Sequence, residues 1–348
     1  MVNLCASVLK CEFLSVKLCN MNVVTTVEQT FQNKQLGLLL AYLQMQNYRF
    51  TSISPASHEK VNNRPENAIA NNLVDIFGWN RPFKRETISD TLFDLMQSAN
   101  IAIQVNNGWK SALRVSSINE QLFLHSAYPT IGNEAVFFGP DTYRFANAIH
   151  HFLIESDHAV YKVVDIGTGS GVGAVLLALS LPEVEPKSEI VAIDINIDAL
   201  NLARVNVDAA NLNNIELIQS DLLSNVKGNF DLIIANPPYL LDQLERTYRH
   251  GGGRLGAALS LAIVDAAIQR LNAGGSLLLY TGVAIVDGHD AFLAEVALKL
   301  KCAGFTFQYT EIDPDIFGEE LLGEAYSMAD RIAAVVLTAK KQTQQISL

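Results

Sequence analysis

The sequence predicts an α/β protein: a Rossmann-like, mostly parallel sheet whose last strand returns antiparallel, preceded by a smaller mixed α+β domain. Three observations carry this prediction. First, the β-branched run Val163-Val164-Asp165-Ile166 leads through Gly167, Gly169, Gly171 and Gly173 into an apolar helical run over 172–181. A buried parallel strand that turns on glycines into a helix has this pattern. Second, strand-like and helix-like segments alternate from there onward, which implies a parallel sheet with helices on both faces. Third, the first part of the chain follows a different rule, with helical spacing giving way to short strands.

Taken in order, residues 1–20 read as a weakly structured extension, with Met21 as an alternative start. Cys5, Cys11 and Cys19 lie within this stretch, in a spacing that matches no zinc pattern. Lys10, Glu12 and Lys17 interrupt its apolar character, so it does not read as a secretory signal. Residues 21–130 form the expected N-terminal, substrate-recognition domain. Phe31, Leu36, Leu39, Leu40 and Leu43 recur at helical spacing and predict a long amphipathic helix over 27–48. Residues 51–64 read as a polar loop, and helices are expected over 65–77 and 88–98. The aromatic turn 78–83 between them reads as core. Residues 101–105 and 109–115 around Asn106-Asn107-Gly108 predict a hairpin, with a third strand at 121–124.

Residues 131–340 form the expected ligand-binding domain. Its connector, 126–141, is punctuated by Pro129, Gly132 and Gly139, and a helix over 143–153 is capped by Asp141 or Thr142. Strands follow at 161–166, 189–194, 215–219, 230–235, 276–281, 304–310 and 332–337. Helices are expected at 171–181, 197–211, 257–271 and 289–302.

The 348 residues are 49% apolar and 18% charged, which suits a folded globular protein. A net charge of −11 disfavours broad electrostatic binding of nucleic acid. Four cysteines point to a reducing compartment rather than a disulfide scaffold, and no run approaches bilayer-spanning length. A soluble, cytoplasmic protein is expected.

In an open α/β sheet, ligands bind outside the carboxyl ends of the strands. Here those ends carry Asp165 with the glycine loop (Gly167, Thr168, Gly169, Ser170, Gly171), then Asp194, then Asp221-Leu222, then Asn236-Pro237-Pro238-Tyr239. The segment 169–174 also satisfies a relaxed G-x-G-x-x-A dinucleotide fingerprint, with Asp194 at about the right distance for a ribose. Asp165, however, would repel a pyrophosphate and suits a cationic group instead. Two prolines fix φ and donate no N–H, so the Asn236 side chain and the Pro237 carbonyl are held as acceptors for one planar NH₂. Tyr239 offers a ring face to a flat group.

The region 161–239 resembles the class I S-adenosylmethionine-dependent methyltransferases. It is most similar to the amino-methylating branch that includes the release-factor glutamine methyltransferases. The residues that carry the likeness are VVDIGTGSG (163–171), AIDIN (192–196), QSDLL (219–223) and IIANPPY (233–239), with FFGPDTYRF (137–145) resembling the family's connector. The resemblance implies S-adenosyl-L-methionine as cofactor. Gly167 to Gly171 would wrap its methionine part, Asp165 would face the ammonium, and Asp194 the ribose hydroxyls. Asp221 and Leu222 would take the adenine. Asn236, with Pro237 and Tyr239, would hold the acceptor amino group as the catalytic set.

The resemblance implies methyl transfer to a planar nitrogen, with a release-factor-like protein glutamine as the first acceptor. The alternatives are an exocyclic amino group in ribosomal or transfer RNA, a small molecule, or a non-enzymatic cofactor-binding scaffold. No metal and no membrane enter this expectation. The pair His150-His151 reads as surface. Where release-factor enzymes continue with a Glu-Pro segment, this chain carries 244–255, with Arg246, Arg249, His250 and Arg254 beside three glycines. That loop reads either as a mobile lid for an acidic substrate or as a solvated loop.

Overall fold

A computed structural model describes residues 27–343, apart from 107, 131, 133, 157–159, 182–186 and 243–245 and the side chain of Arg254. The expectations for residues 1–20, their three cysteines and Met21 therefore lie outside the described residues.

Helix α1, Val27–Met45, buries Leu36, Leu39, Leu40 and Leu43, the stripe that its spacing predicts. It stops before residue 48 because Asn47 takes a positive φ of 54° and the Tyr48 N–H turns back to the Leu43 carbonyl. Part of the expected polar loop is helix α2, Pro55–Asn62, with Pro at its start and Ser54 as cap. The helix expected over 65–77 is not continuous. It is a 3₁₀ turn at Pro65–Asn67 and a single wide turn at Val74–Gly78. Side chains compete for the backbone there: Asn72 Oδ1 accepts from the Asp75 N–H and Asp75 Oδ2 from the Asn71 N–H. Helix α3, Asp90–Ser98, follows, and Phe83 from the aromatic turn is fully buried.

Strands β1, Ala102–Val105, and β2, Gly108–Ser111, form the expected hairpin. The second arm ends early. At Leu113 the chain begins β3, Leu113–Ile118, which pairs instead with β4, Gln121–Ser126. Arg114 on β3 is buried, donating to the Gly78 carbonyl and to Ser52 Oγ, and burial lowers its pKa to about 10. Helix α4, Pro140–Glu155, then begins with Gly139 rather than Asp141 or Thr142 at its cap position.

The large sheet is built from β5 (Lys162–Ile166), β6 (Glu189–Asp194), β7 (Ile215–Gln219), β8 (Phe230–Ala235), β9 (Leu271–Val286), the two-residue β10 (His289–Asp290), β11 (Phe305–Asp313) and β12 (Arg331–Lys341). Its order is β11-β12-β9-β8-β5-β6-β7. Neighbours from β7 to β9 are parallel, while β12 is antiparallel to both β9 and β11. The antiparallel return is therefore present. Strand β9 runs past its expected end, through Gly282, because β12 pairs with it from Ser276 to Ile285.

Helices α5 (Val172–Ser180) and α6 (Ile197–Ala209) join α4 on one face, and α7 (Ala258–Arg270) and α8 (Ala291–Cys302) cover the other. Period-two alternation assigns the strand residues: Leu232 and Ile234 pack towards the α4–α6 side, Ile233 and Ala235 towards α7 and α8. A third apolar cluster gathers α1, α3, β3 and β4, and Val205 of α6 belongs to it. The residues before the connector are thus packed directly on a helix of the sheet. No helix among the described residues is long and apolar enough to cross a membrane.

Candidate active site

The glycine-rich turn sits at the carboxyl end of β5. Gly167, Gly169 and Gly171 all take positive φ, and Gly171 opens α5. The turn is anchored by the Thr168 N–H, which donates to the Ile193 carbonyl at 2.9 Å. Asp165 is buried. Both bonds the structure gives its carboxylate land on Oδ2, from Thr168 Oγ1 at 2.6 Å and from the Ala174 N–H at 3.0 Å. Burial pushes its pKa up to about 6, against the lowering effect of those two bonds, and the nearby Asp194 adds to the rise.

Asp194 closes β6. Its Oδ2 accepts from the Gly169 N–H and its Oδ1 from the Asn196 N–H, each at 2.9 Å. The Ile195 N–H also bears on it, and the acceptor capacity that remains suits the hydroxyls of a vicinal diol. Burial raises its pKa as well. Asp165 and Asp194 line the same cavity of about 350 Å³, which also holds Ser170, Asp221 and Leu222 at its wall. Asp221 is exposed at the rim, and Leu222 is half-buried with φ of 46°. A buried and a half-buried carboxylate beside the glycine turn oppose a pyrophosphate and suit a cationic or hydroxyl-bearing ligand.

Beside the glycine turn stands the end of β8, the parallel neighbour of β5. Asn236 is half-buried, and its side-chain amide has no hydrogen-bond partner among the described residues. Pro237 and Tyr239 are buried, and all three line the cavity. The structure thus brings the residues singled out at the strand ends around one space, except Gly171, which packs against Ala203 of α6 instead of lining it. Tyr239 is more constrained than expected. Its ring lies against Gly282 of β9, where an added Cβ would stand 2.3 Å from the ring carbons. Its hydroxyl donates to Asp141 Oδ2 at 2.7 Å.

Asp141 and Tyr280 are functional neighbours that the sequence did not single out in this role. The expectation of Asp141 as a helix cap is corrected: its carboxylate is buried beneath the Asn-Pro-Pro-Tyr turn. The Tyr280 hydroxyl donates to its Oδ1 at 2.6 Å, and Arg144 Nη1 donates to the same oxygen at 3.0 Å. Burial first, and then the charge of Asp141, hold both phenols well above the usual tyrosine pKa.

The loop carrying Arg246 and Arg249 is corrected too. Arg246 grips Asp242 through its Nε (2.8 Å to Oδ2) and Nη2, and Arg249 pairs with Glu320. Neither guanidinium is free to read an acidic substrate, and the loop is not merely solvated. It braces the turn: the Leu240 N–H donates to the Arg249 carbonyl at 3.1 Å and the Gly251 N–H to the Leu240 carbonyl at 2.8 Å. Gly256, with φ of 82°, leaves no room for a Cβ, which would lie 2.0 Å from the Tyr239 carbonyl oxygen. His150 and His151 are exposed, as expected.

Residues 148–285 match the Methyltransferase small domain family. The release factor glutamine methyltransferase of Rhodopirellula baltica is 39% identical over 139 residues, 36% of this chain and 45% of that protein. Its counterpart from Lactococcus lactis is 30% identical over 185 residues, 49% of this chain and 63% of that protein. The ribosomal protein uL3 glutamine methyltransferase of Neisseria meningitidis is 35% identical over 140 residues, 37% and 45% of the two chains. The chain therefore spans about half the length of these relatives. Around the cavity, the chain is similar to the S-adenosylmethionine-dependent class I methyltransferases, on the side of the glutamine-methylating branch.

Proposed function

We propose that the protein is an S-adenosylmethionine-dependent methyltransferase that methylates a planar nitrogen, with a protein glutamine side chain as the acceptor. The observation that carries this reading is the Asn236 amide. It is a half-buried polar group without a hydrogen-bond partner among the described residues, fixed before two prolines and at the strand end next to the glycine turn. Groups left unsatisfied in a cavity wall are costly unless a ligand meets them.

The residues present fit the cofactor. Gly167, Thr168, Gly169 and Ser170 line the cavity, with Gly171 behind them at the start of α5, and the acceptor capacity left on Asp194 suits the ribose hydroxyls. Asp165 offers a buried carboxylate to an ammonium. Asp221 and Leu222 stand where a flat base would lie. When bound, S-adenosylmethionine supplies an electrophilic methyl on a sulfonium. Asn236 Oδ1 and the Pro237 carbonyl accept the two N–H bonds of the acceptor, orienting its nitrogen lone pair. Tyr239 packs against the flat amide, and because the methylated nitrogen is strongly acidic its surplus proton passes to solvent, so no strong base is required of the chain. The residues before 131 choose the substrate in this reading.

The test is transfer of labelled methyl, scored against release-factor and ribosomal proteins, ribosomal RNA and a metabolite pool. Label on a protein glutamine supports the reading, and label on RNA moves the acceptor to an exocyclic base amine. Asn236→Ala should bind S-adenosylhomocysteine normally yet lose transfer by on the order of 100-fold, since the group orients rather than anchors. Calorimetry with NAD in place of S-adenosylhomocysteine should show no heat of binding.

A further inference from the structure

The buried carboxylate beneath the Asn-Pro-Pro-Tyr turn has no part in the scheme above. Asp141 Oδ2 is taken by the Tyr239 hydroxyl, while Oδ1 receives Tyr280 and Arg144. Arg144 is itself held from its other side, with Nη2 donating to Asp313 Oδ2 at 2.7 Å. The three partners of the carboxylate come from α4, the turn after β8, and β9, and Arg144 carries the link on to Asp313 of β11. Tyr239 is caught at both ends: Gly282 sets the height of its ring and Asp141 fixes where its hydroxyl points.

We propose that Asp141 is a positioning residue for methyl transfer. By claiming the Tyr239 hydroxyl, it turns that residue into a bare ring face, so the acceptor nitrogen is gripped by Asn236 and Pro237 alone. This inference rests on the reading of the site given above. Its physical content is that a phenol left free would rotate or offer its own hydrogen bond to the acceptor amide, competing with the two oxygens that aim the nitrogen. Three donors converge on one buried carboxylate, and such charge-assisted bonds are the strong kind.

The experiment is a double-mutant cycle on the full chain with Asp141→Asn and Tyr239→Phe, read as kcat, acceptor KM and S-adenosylhomocysteine affinity. Asp141→Asn should lower kcat about 30-fold with product-cofactor affinity unchanged within about twofold, as expected for lost orientation rather than lost binding. In the Tyr239→Phe background the same substitution should cost no further kcat, although it still lowers Tm. Asp141→Glu should restore part of the rate.

Additive kcat losses, or wild-type kcat in Asp141→Asn, overturn the inference while leaving the proposed function intact. Absence of transfer by the wild-type protein overturns both. If Asp141→Asn fails to fold, Tyr280→Phe provides the second route. It removes one donor from Oδ1 and leaves the Tyr239 bond in place, so kcat should fall less than about threefold on this account. A loss in Tyr280→Phe as large as in Asp141→Asn would overturn it.

Discussion

Asn206 and Ser170 are joined by a buried hydrogen bond, Nδ2 donating to the serine carbonyl at 2.8 Å. The same amide donates to the Leu124 carbonyl at 3.1 Å and accepts the Leu124 N–H at 2.9 Å. One side chain on α6 therefore ties the glycine turn to β4, part of the module that precedes the connector. Asn206→Ala would strand three main-chain groups, each worth about 1 to 3 kcal/mol when left unsatisfied, with partial relief from water. The expected outcome is a stability loss on the order of 3 kcal/mol in urea unfolding, together with weaker S-adenosylhomocysteine binding.

Gly282→Ala puts a methyl group where the Tyr239 ring now lies, so the ring must shift. A misplacement of that kind costs up to about 100-fold in turnover without touching the cofactor end of the cavity. Single-turnover methyl transfer should fall accordingly, while calorimetry with S-adenosylhomocysteine stays near wild type.

Asp165 titrates near 6 because it is buried, above the ordinary unfolded carboxyl of about 3.9. The native state thus holds more protons than the unfolded chain between those values, and this group's effect on stability is to lower it as pH rises through them. Binding of a cation shows the opposite trend, since only the ionised form attracts an ammonium. Affinity for S-adenosylhomocysteine should climb through about pH 6, with proton release, and Asp165→Asn should flatten that slope. The Asp194 carboxyl is raised in the same direction and steepens the profile.

Asp242 behaves in the reverse sense. Hydrogen bonds from Arg246 pull its carboxyl down to about 2, so its stabilising contribution is present above the unfolded value and fades as pH falls towards 2. Asp242→Asn should loosen the bracing loop, with a cost on the order of 1 to 3 kcal/mol for bonds to a charged group. Limited trypsinolysis would register it as faster cleavage after Arg246 and Arg249.

The residues legible in the sequence are those whose meaning is local. Asp165, Asp194, Asp221 and Asn236 each stand at or just past the carboxyl end of an apolar strand, and an α/β sheet gathers such ends at one edge without further information. Helix α1 and the antiparallel return were legible because their spacing repeats over many residues. Asp141 was legible only as a residue near a helix start, since its partners Tyr239 and Tyr280 stand 98 and 139 positions away. Tyr280 sits in an apolar strand and looks like ordinary core. The loop arginines misled for the same reason, as the carboxylate that meets Arg249 lies 71 positions downstream. Helix α2 was missed because its sequence is polar, with one buried residue, His58, to mark a face.

Strand β12 lies between β9 and β11, although it is the last of the three to be synthesised. A nascent polypeptide that has reached residue 330 leaves the edge of β9 unpaired, and β11, although packed on α8, has no strand to join. Closure of the sheet at this edge must therefore wait until residues 331–341 have left the ribosome.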